Sequence, residues 1–162
     1  AKLGRKELGI AAALFGAAVL FVTNFLKLQN AYVFVVFYTF AYVGIAIFSL
    51  ITWAMITDVI DDAQVHDGRR SDGTIYSVYS FARKVGQAAS SGVAGLLLSI
   101  IGYSQATAFE PSVVNGIYHI TCLAPAVGFV LLALSLAFLY PLNRKKVQEN
   151  ARILVEKENE AK

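Results

Sequence analysis

The chain is short of charge, since Asp, Glu, Lys and Arg make up only 15% of its 162 residues while 57% are hydrophobic. A water-soluble domain carries about a quarter charged residues, so this sequence has too little polar surface to clothe a globule. It holds one cysteine, Cys122, and two histidines, His66 and His119. A disulfide framework and a structural zinc site are thereby excluded, because both need several sulfur or imidazole ligands. No segment alternates apolar and polar residues as an outer-membrane barrel strand does. No cleavable signal pattern precedes a soluble domain either. The first residue is Ala1 and opens on a basic stretch, and the expectation is a piece of a longer polypeptide.

What the sequence does have is four apolar stretches, at residues 8–26, 31–57, 74–103 and 116–140. All are far longer than strands, which run to about six residues, and so they read as helices. A crossing needs about 20 apolar residues. The expected fold is therefore all-α transmembrane: four membrane-spanning helices within residues 1–141, then a charged tail over 142–162. The second and third stretches would each rise about 40 Å, more than the hydrocarbon core of about 30 Å, so they tilt or project into water. Asp58, Asp61, Asp62 and Asp72 stand at their facing ends, which places the excess length there. In the tail, Val147, Ala151, Leu154 and Val155 are spaced for one apolar stripe, predicting an amphipathic helix on the membrane surface that frays from Glu156 onward.

The basic residues set the orientation, because Lys and Arg in short loops are retained in the cytoplasm. Lys2, Arg5 and Lys6 precede the first stretch, Arg69 and Arg70 join the second to the third, and Arg144, Lys145, Lys146, Arg152, Lys157 and Lys162 follow the fourth. Against these eleven, the opposite side has Lys27 alone. Both termini are expected in the cytoplasm of a multi-pass protein of the inner or plasma cell membrane. The net charge of +3 is then explained by topology, with the lipid bilayer as partner and no nucleic acid.

The third stretch is the most informative, for it contains Arg83 and Lys84. Ionisable residues at depth in a span mark a pathway or site, whereas near a helix end they snorkel to the interface. Residues 85–103 could cross alone, which would leave the pair interfacial. Against that, Ser77, Ser80, Lys84, Gln87 and Ser91 recur at intervals of three and four and line one helical face. A membrane helix has no reason to turn such a stripe to lipid, so the face borders water or a polar ligand. Arg83 flanks the stripe, about 100° around the helix from Lys84. Small residues four apart, such as Gly86 and Ser90 or Ala88 and Gly92, permit close helix packing and imply nothing more specific.

On the second stretch a weaker polar line runs through Tyr38, Tyr42, Ser49 and Thr52, with Trp53 beside it. Aromatic faces stack on sugar rings and hydroxyls bond sugar hydroxyls, but ordinary packing and an interfacial aromatic belt give the same pattern. The segment from Asp58 to Gly73 reads as a charged loop. Asp61, Asp62, His66 and Asp67 make a weak ligand set without calcium-loop spacing, so no metal is assigned. An ionic network of Asp58, Asp61, Arg70 and Asp72 competes with a solvated loop. His119, near a span end beside Tyr118, reads as interfacial rather than as a proton relay.

The run DVIDDAQVHDGRRSDGTIYSVYSFARKVGQ, from Asp58 to Gln87, and the following GLLLSIIGY resemble the region joining the tenth and eleventh helices of the glycoside-pentoside-hexuronide:cation symporters, a major-facilitator branch. LGRKELG at Leu3 to Gly9 is similar to the lead-in of the ninth helix, and YPLNRKK at Tyr140 to Lys146 to the exit of the twelfth. The resemblance covers the whole chain as the last third of a twelve-helix carrier. It implies cation-coupled sugar symport, with Lys84 between sugar and cation sites, Ser80 on the sugar side, and Ser49, Thr52 and Trp53 on the cavity face, while Arg83, flanking the stripe, is a candidate to tune sugar choice. It also implies that Asp58, Asp61 and Arg70 form a cytoplasmic charged network, to which the residue pattern adds Asp72. Gln64 stands where many members have glutamate. The coupling cation, Na+ or H+, would be bound mainly by amino-terminal helices of the same carrier, and no other cofactor is implied.

Two other classes compete with this reading. A small four-helix exporter or membrane scaffold is one, although an exporter of that kind carries a carboxylate in its first span and residues 8–26 have none. An enzyme ranks last, because no nucleophile with an adjacent base can be assembled. The topology is directly testable: cysteine labelling from outside the cell should reach position 110 and not position 68, and the opposite pattern ends the orientation argument.

Overall fold

The computed structural model describes residues 4–160. Lys2 and Lys162 of the basic tally and Leu3 of the LGRKELG run lie outside the described residues. The described chain is helical, in the order α1 (Arg5–Leu26), α2 (Ala31–Asp67), α3 (Asp72–Ile100), α4 (Pro111–Leu139) and α5 (Arg144–Glu160), with no strand among these residues.

Three of these helices, α1, α2 and α4, are long and apolar enough to cross a membrane. The expectation of four spans is corrected on this measure. The third stretch does form a helix of 29 residues, but its serines, glycines, Gln87, Arg83 and Lys84 dilute the apolar content that a lipid-facing span needs. A second correction concerns Asp58 to Gly73, expected as a loop. Helix α2 runs on to Asp67, and only Gly68 to Ser71 connect it to α3. Gly68 takes φ 70° and its N–H donates to the Gln64 carbonyl, a left-handed helix stop that glycine accepts without a Cβ clash. The tail also stays helical through Glu160, where fraying was expected from Glu156.

Helix α1 is the centre of the bundle, packing along both α2 and α4. It can do so because its buried face is narrow: Gly9, Ala12, Ala13, Gly16 and Ala17 lie there, with Leu20 and Thr23 nearer its end. A Cβ on Gly44 of α2 would stand 2.4 Å from the Ala12 carbonyl oxygen, and one on Gly16 2.9 Å from that of Ala41. The two backbones therefore touch, the arrangement that small residues permit between membrane helices. Ala17, Leu20, Ala41, Ala126 and Phe129 make the core where α1, α2 and α4 meet. The short α1–α2 turn is fixed by Lys27 in the left-handed region and by Asn30, whose side chain accepts from the N–H groups of Tyr32 and Val33. Tyr118 of α4 ties the same corner, donating to the Thr23 carbonyl at 2.6 Å and accepting from Leu28 N–H at 3.0 Å.

Helix α3 stands apart. It has no buried residue, and every residue from Phe81 to Leu96 is exposed. Its partly covered positions lie towards its two ends, at Ile75, Tyr76 and Tyr79 and again at Leu97 and Leu98. Between α3 and α4 lies an apolar groove of about 510 Å³, lined by Val93, Leu97, Leu123 and Val127 among others.

The α1–α2 contact yields a prediction. Gly44→Ala should cost about 1–3 kcal/mol, the usual penalty when a side chain is forced into a packed site. Gly128→Ala, whose Cβ meets nothing within 4 Å, should be near neutral. Thermal unfolding in detergent reads the difference, and equal melting of the two variants would contradict the close crossing.

Candidate functional site

Helix ends gather charge at one pole of the bundle, where the amino end of α1, the carboxyl end of α2, the start of α3 and all of α5 converge. Asp58 lies in α2 between buried Ile56 and Ile60 and is only 4% exposed. Such a carboxylate needs a partner, and Arg5 of α1 supplies it through Nη1 to Oδ1 while also donating to the Ala54 carbonyl at 3.3 Å. The other oxygen, Oδ2, has no hydrogen-bond partner among the described residues. Asp58 and Arg5 line a cavity of about 240 Å³ with Leu142, Arg144, Val147 and Gln148.

One turn further along α2, Asp61 accepts from Arg70 Nη1 at 3.1 Å and Gln64 Oε1 accepts from the same nitrogen at 3.0 Å. Arg70 Nε donates to Asp72 at 2.9 Å. A single guanidinium thus clips the end of α2 to the start of α3. The hydrogen bonds to Asp72 and then Asp61 hold Arg70 above its ordinary pKa, so the clip stays charged. Asp62 faces the other way, accepting from Asn150 of α5 at 2.8 Å with Lys146 Nζ at 3.5 Å. Asn150 is the buried residue of α5, so this helix is anchored by a polar contact rather than by its apolar stripe. Within that stripe Val147 and Leu154 are half-buried, while Ala151 and Val155 are exposed. Lys6 completes the pole by donating to the Ala137 and Tyr140 carbonyls, which the end of α4 leaves without helical donors.

The four residues of the expected network therefore divide between two partners: Asp61 and Asp72 meet at Arg70, whereas Asp58 belongs to Arg5. Sequence reasoning counted Arg5 and Lys146 only as topological charge and missed Asn150 altogether. A buried acid at the end of an apolar run was the available signal that a cation from another helix is required.

The residues of the polar stripe are placed differently. Ser80, Arg83 and Lys84 are exposed on α3, and neither Arg83 nor Lys84 has a hydrogen-bond or ion-pair partner among the described residues. Ser77 and Ser91 bond carbonyls of their own helix. On α2, Ser49 is exposed and half-buried Thr52 donates to the Phe48 carbonyl at 2.8 Å. Tyr38 and Tyr42 are packed in a column with Phe34 and bonded to each other at 2.9 Å. Trp53 faces Tyr76 and Tyr79 of α3, with ring centroids 6.1 and 6.2 Å away. The structure does not bring Lys84 together with Ser49, Thr52 and Trp53. At the far pole His119 Nδ1 hydrogen-bonds Asn24 Oδ1 at 2.7 Å.

A bundle with three helices long and apolar enough to cross a membrane, and with charge gathered at one pole, defines a class, the helical membrane proteins. Comparison with known proteins narrows it. The family described as MFS/sugar transport protein matches residues 1–144. The uncharacterized symporter YjmB of Bacillus subtilis (strain 168) is 35% identical over 131 residues, covering 81% of this chain and 28% of its own length. The glucuronide carrier protein homolog of Escherichia coli (strain K12) is 31% identical over 162 residues, all of this chain and 35% of its own. The sodium-dependent lysophosphatidylcholine symporter 1 of Gallus gallus is 33% identical over 114 residues, 69% of this chain and 22% of its own. The chain thus spans about a third or less of the length of these curated relatives. No solved structure matches. The chain belongs to the major-facilitator sugar-transport family, in its glycoside-pentoside-hexuronide:cation symporter branch. That family consists of transporters, not enzymes.

The Arg5–Asp58 pair makes a testable statement. Arg5→Gln leaves a buried carboxylate unpaired and should destabilise by about 3 kcal/mol, the low end for broken buried pairs because Arg5 is itself half-exposed. Adding Asp58→Asn should recover most of the loss. Melting temperatures of the single and double variants check this, and simple additivity would show that the pair is idle.

Proposed function

We propose that this chain is the carboxyl-terminal part of a secondary transporter that couples entry of a glycoside, pentoside or hexuronide to a Na+ or H+ gradient by alternating access. The observation that carries the reading is the Ser77, Ser80, Lys84, Gln87 and Ser91 face of α3, polar, exposed and without partners from the rest of the described chain. A polar helical face in a membrane protein is tolerable only against water or a polar ligand, so α3 lines a cavity shared with the amino-terminal helices of the same carrier. The glucuronide carrier homolog supports a sugar acid or glycoside as cargo, and the sodium-dependent symporter supports a cation as driver.

In this reading Lys84 is the coupling residue. Coupling requires that cation and sugar favour each other's binding, a reciprocal free energy, and one ammonium between the two sites senses both. Ser80 and Arg83 flank it on the sugar side, and Ser49 and Thr52 offer hydroxyls from α2. The charged pole lies in the cytoplasm, where breaking and remaking the Asp61–Arg70–Asp72 clip and the Asp58 pair biases the two conformations. No group other than the coupling cation is required.

The test is uptake by the intact carrier in vesicles with imposed Na+ or H+ gradients and a panel of sugars. Lys84→Ala should abolish accumulation against a gradient, and Lys84→Arg should fail to restore it, since a planar guanidinium does not replace a compact ammonium. Arg83→Ala should have the milder effect. Normal accumulation by Lys84→Ala would remove Lys84 from the site and leave it as an interfacial residue.

A further inference from the structure

The charged pole and Lys84 are joined by one aromatic cluster across α2 and α3. Trp53 of α2 faces Tyr76 and Tyr79 of α3 at 6.1 and 6.2 Å, tilted 36° to the first ring and 63° to the second. These offset geometries are the attractive ones for aromatic pairs. Trp53 lies five residues before Asp58, about 7.5 Å along α2, and Tyr79 lies five before Lys84, about 7.5 Å along α3. On α3 the two tyrosines thus lie between Asp72 of the Arg70 clip and Lys84, alternating with Ser77 and Ser80, and on α2 Trp53 stands two turns before Asp61 of the same clip. It also marks a boundary in burial. Tyr76 and Tyr79 are half-covered, whereas α3 is exposed from Phe81 to Leu96. Arg83, four residues after Tyr79 and seven after Tyr76, continues the face that meets Trp53.

We propose that Trp53 is a positioning residue for Lys84: its contact with Tyr76 and Tyr79 is the pivot about which α3 turns, converting a change at the Arg70 clip into a displacement of the stripe. The pivot rests on the transport reading for its purpose, but not for its mechanics. Flat rings suit this role because they slide and tilt against one another without breaking directed hydrogen bonds. The clip supplies the directed part, holding the end of α3 while the rings fix the height of the contact.

The experiment uses the intact carrier with Cys122→Ala and nitroxide labels at Leu50→Cys and Val85→Cys, both exposed positions flanking the cluster. Trp53→Ala should broaden the label-to-label distance distribution without sugar present and slow sugar exchange at saturating sugar about tenfold, the scale expected from loss of two aromatic pairs. Sugar affinity is measured alongside, and the pivot role predicts that it changes less than the exchange rate does. Trp53→Phe should restore both readouts, and it keeps the test informative if the alanine variant folds poorly. A tenfold or larger loss of affinity with an unchanged distance distribution would overturn the proposal and make the indole a sugar platform. Unchanged distance and unchanged exchange would also overturn it. If the unsubstituted carrier moves no sugar, the transport reading fails, while the distance measurement still decides the pivot.

Discussion

The arrangement depends on the thinness of one helix. Apolar attraction does not hold helices together in lipid, since acyl chains are as apolar as leucine, so association must come from close packing and from hydrogen bonds. Gly9, Ala12, Ala13, Gly16 and Ala17 remove side-chain bulk from one face of α1, and Gly44 removes it from the facing side of α2. The resulting backbone contact puts α1 between α2 and α4 and fixes the height at which Arg5 meets α2. Had α1 carried leucines on this face, Arg5 would stand too far from Asp58 to neutralise it. Packing in the apolar centre therefore decides the electrostatics at the pole.

The pole in turn shows how a membrane bundle keeps acids at a helix end without exposing them all to lipid. Asp58, Asp61 and Asp62 leave α2 in different directions and each finds a donor on a different element: α1, the α2–α3 connection and α5. Gln64 stands where the resemblance leads one to expect glutamate, and it accepts from Arg70 at 3.0 Å. An amide oxygen keeps the geometry and drops the charge, which leaves Arg70 with two carboxylates instead of three to balance. The clip is correspondingly weaker in Coulombic terms and easier to open.

Much of the helical layout was legible because long apolar runs admit few alternatives at this length. The end of α2 was not, since charge and turn-like residues after Thr57 suggested a loop. The helix continues because Ile60 is still buried and the acids are satisfied by residues remote in sequence, information that no local window contains. The same reason hid the Arg5 pair and the Asn150 anchor. The stripe on α3 was read correctly as a pattern, since Ser77, Ser80, Lys84, Gln87 and Ser91 share a face on any helix, but its polarity takes α3 below the apolar content of the other long helices. Trp53 illustrates a further limit. Its hydroxyl neighbours on α2 drew the eye to one helix, while the rings it meets belong to the next.

The polar anchor of α5 has a thermodynamic consequence. Apolar surface buried on docking gives an association its large heat-capacity change, and α5 buries little of it, relying on Asn150 and Lys146 against Asp62. Its attachment therefore carries an enthalpy that changes little with temperature and is weakened by added salt through the exposed lysine pair. The bundle centre, held by contact between backbones, is indifferent to ionic strength. One chain thus contains two bodies that respond to different variables of the cell: the tail follows ion concentration, while the membrane core follows the lipid around it.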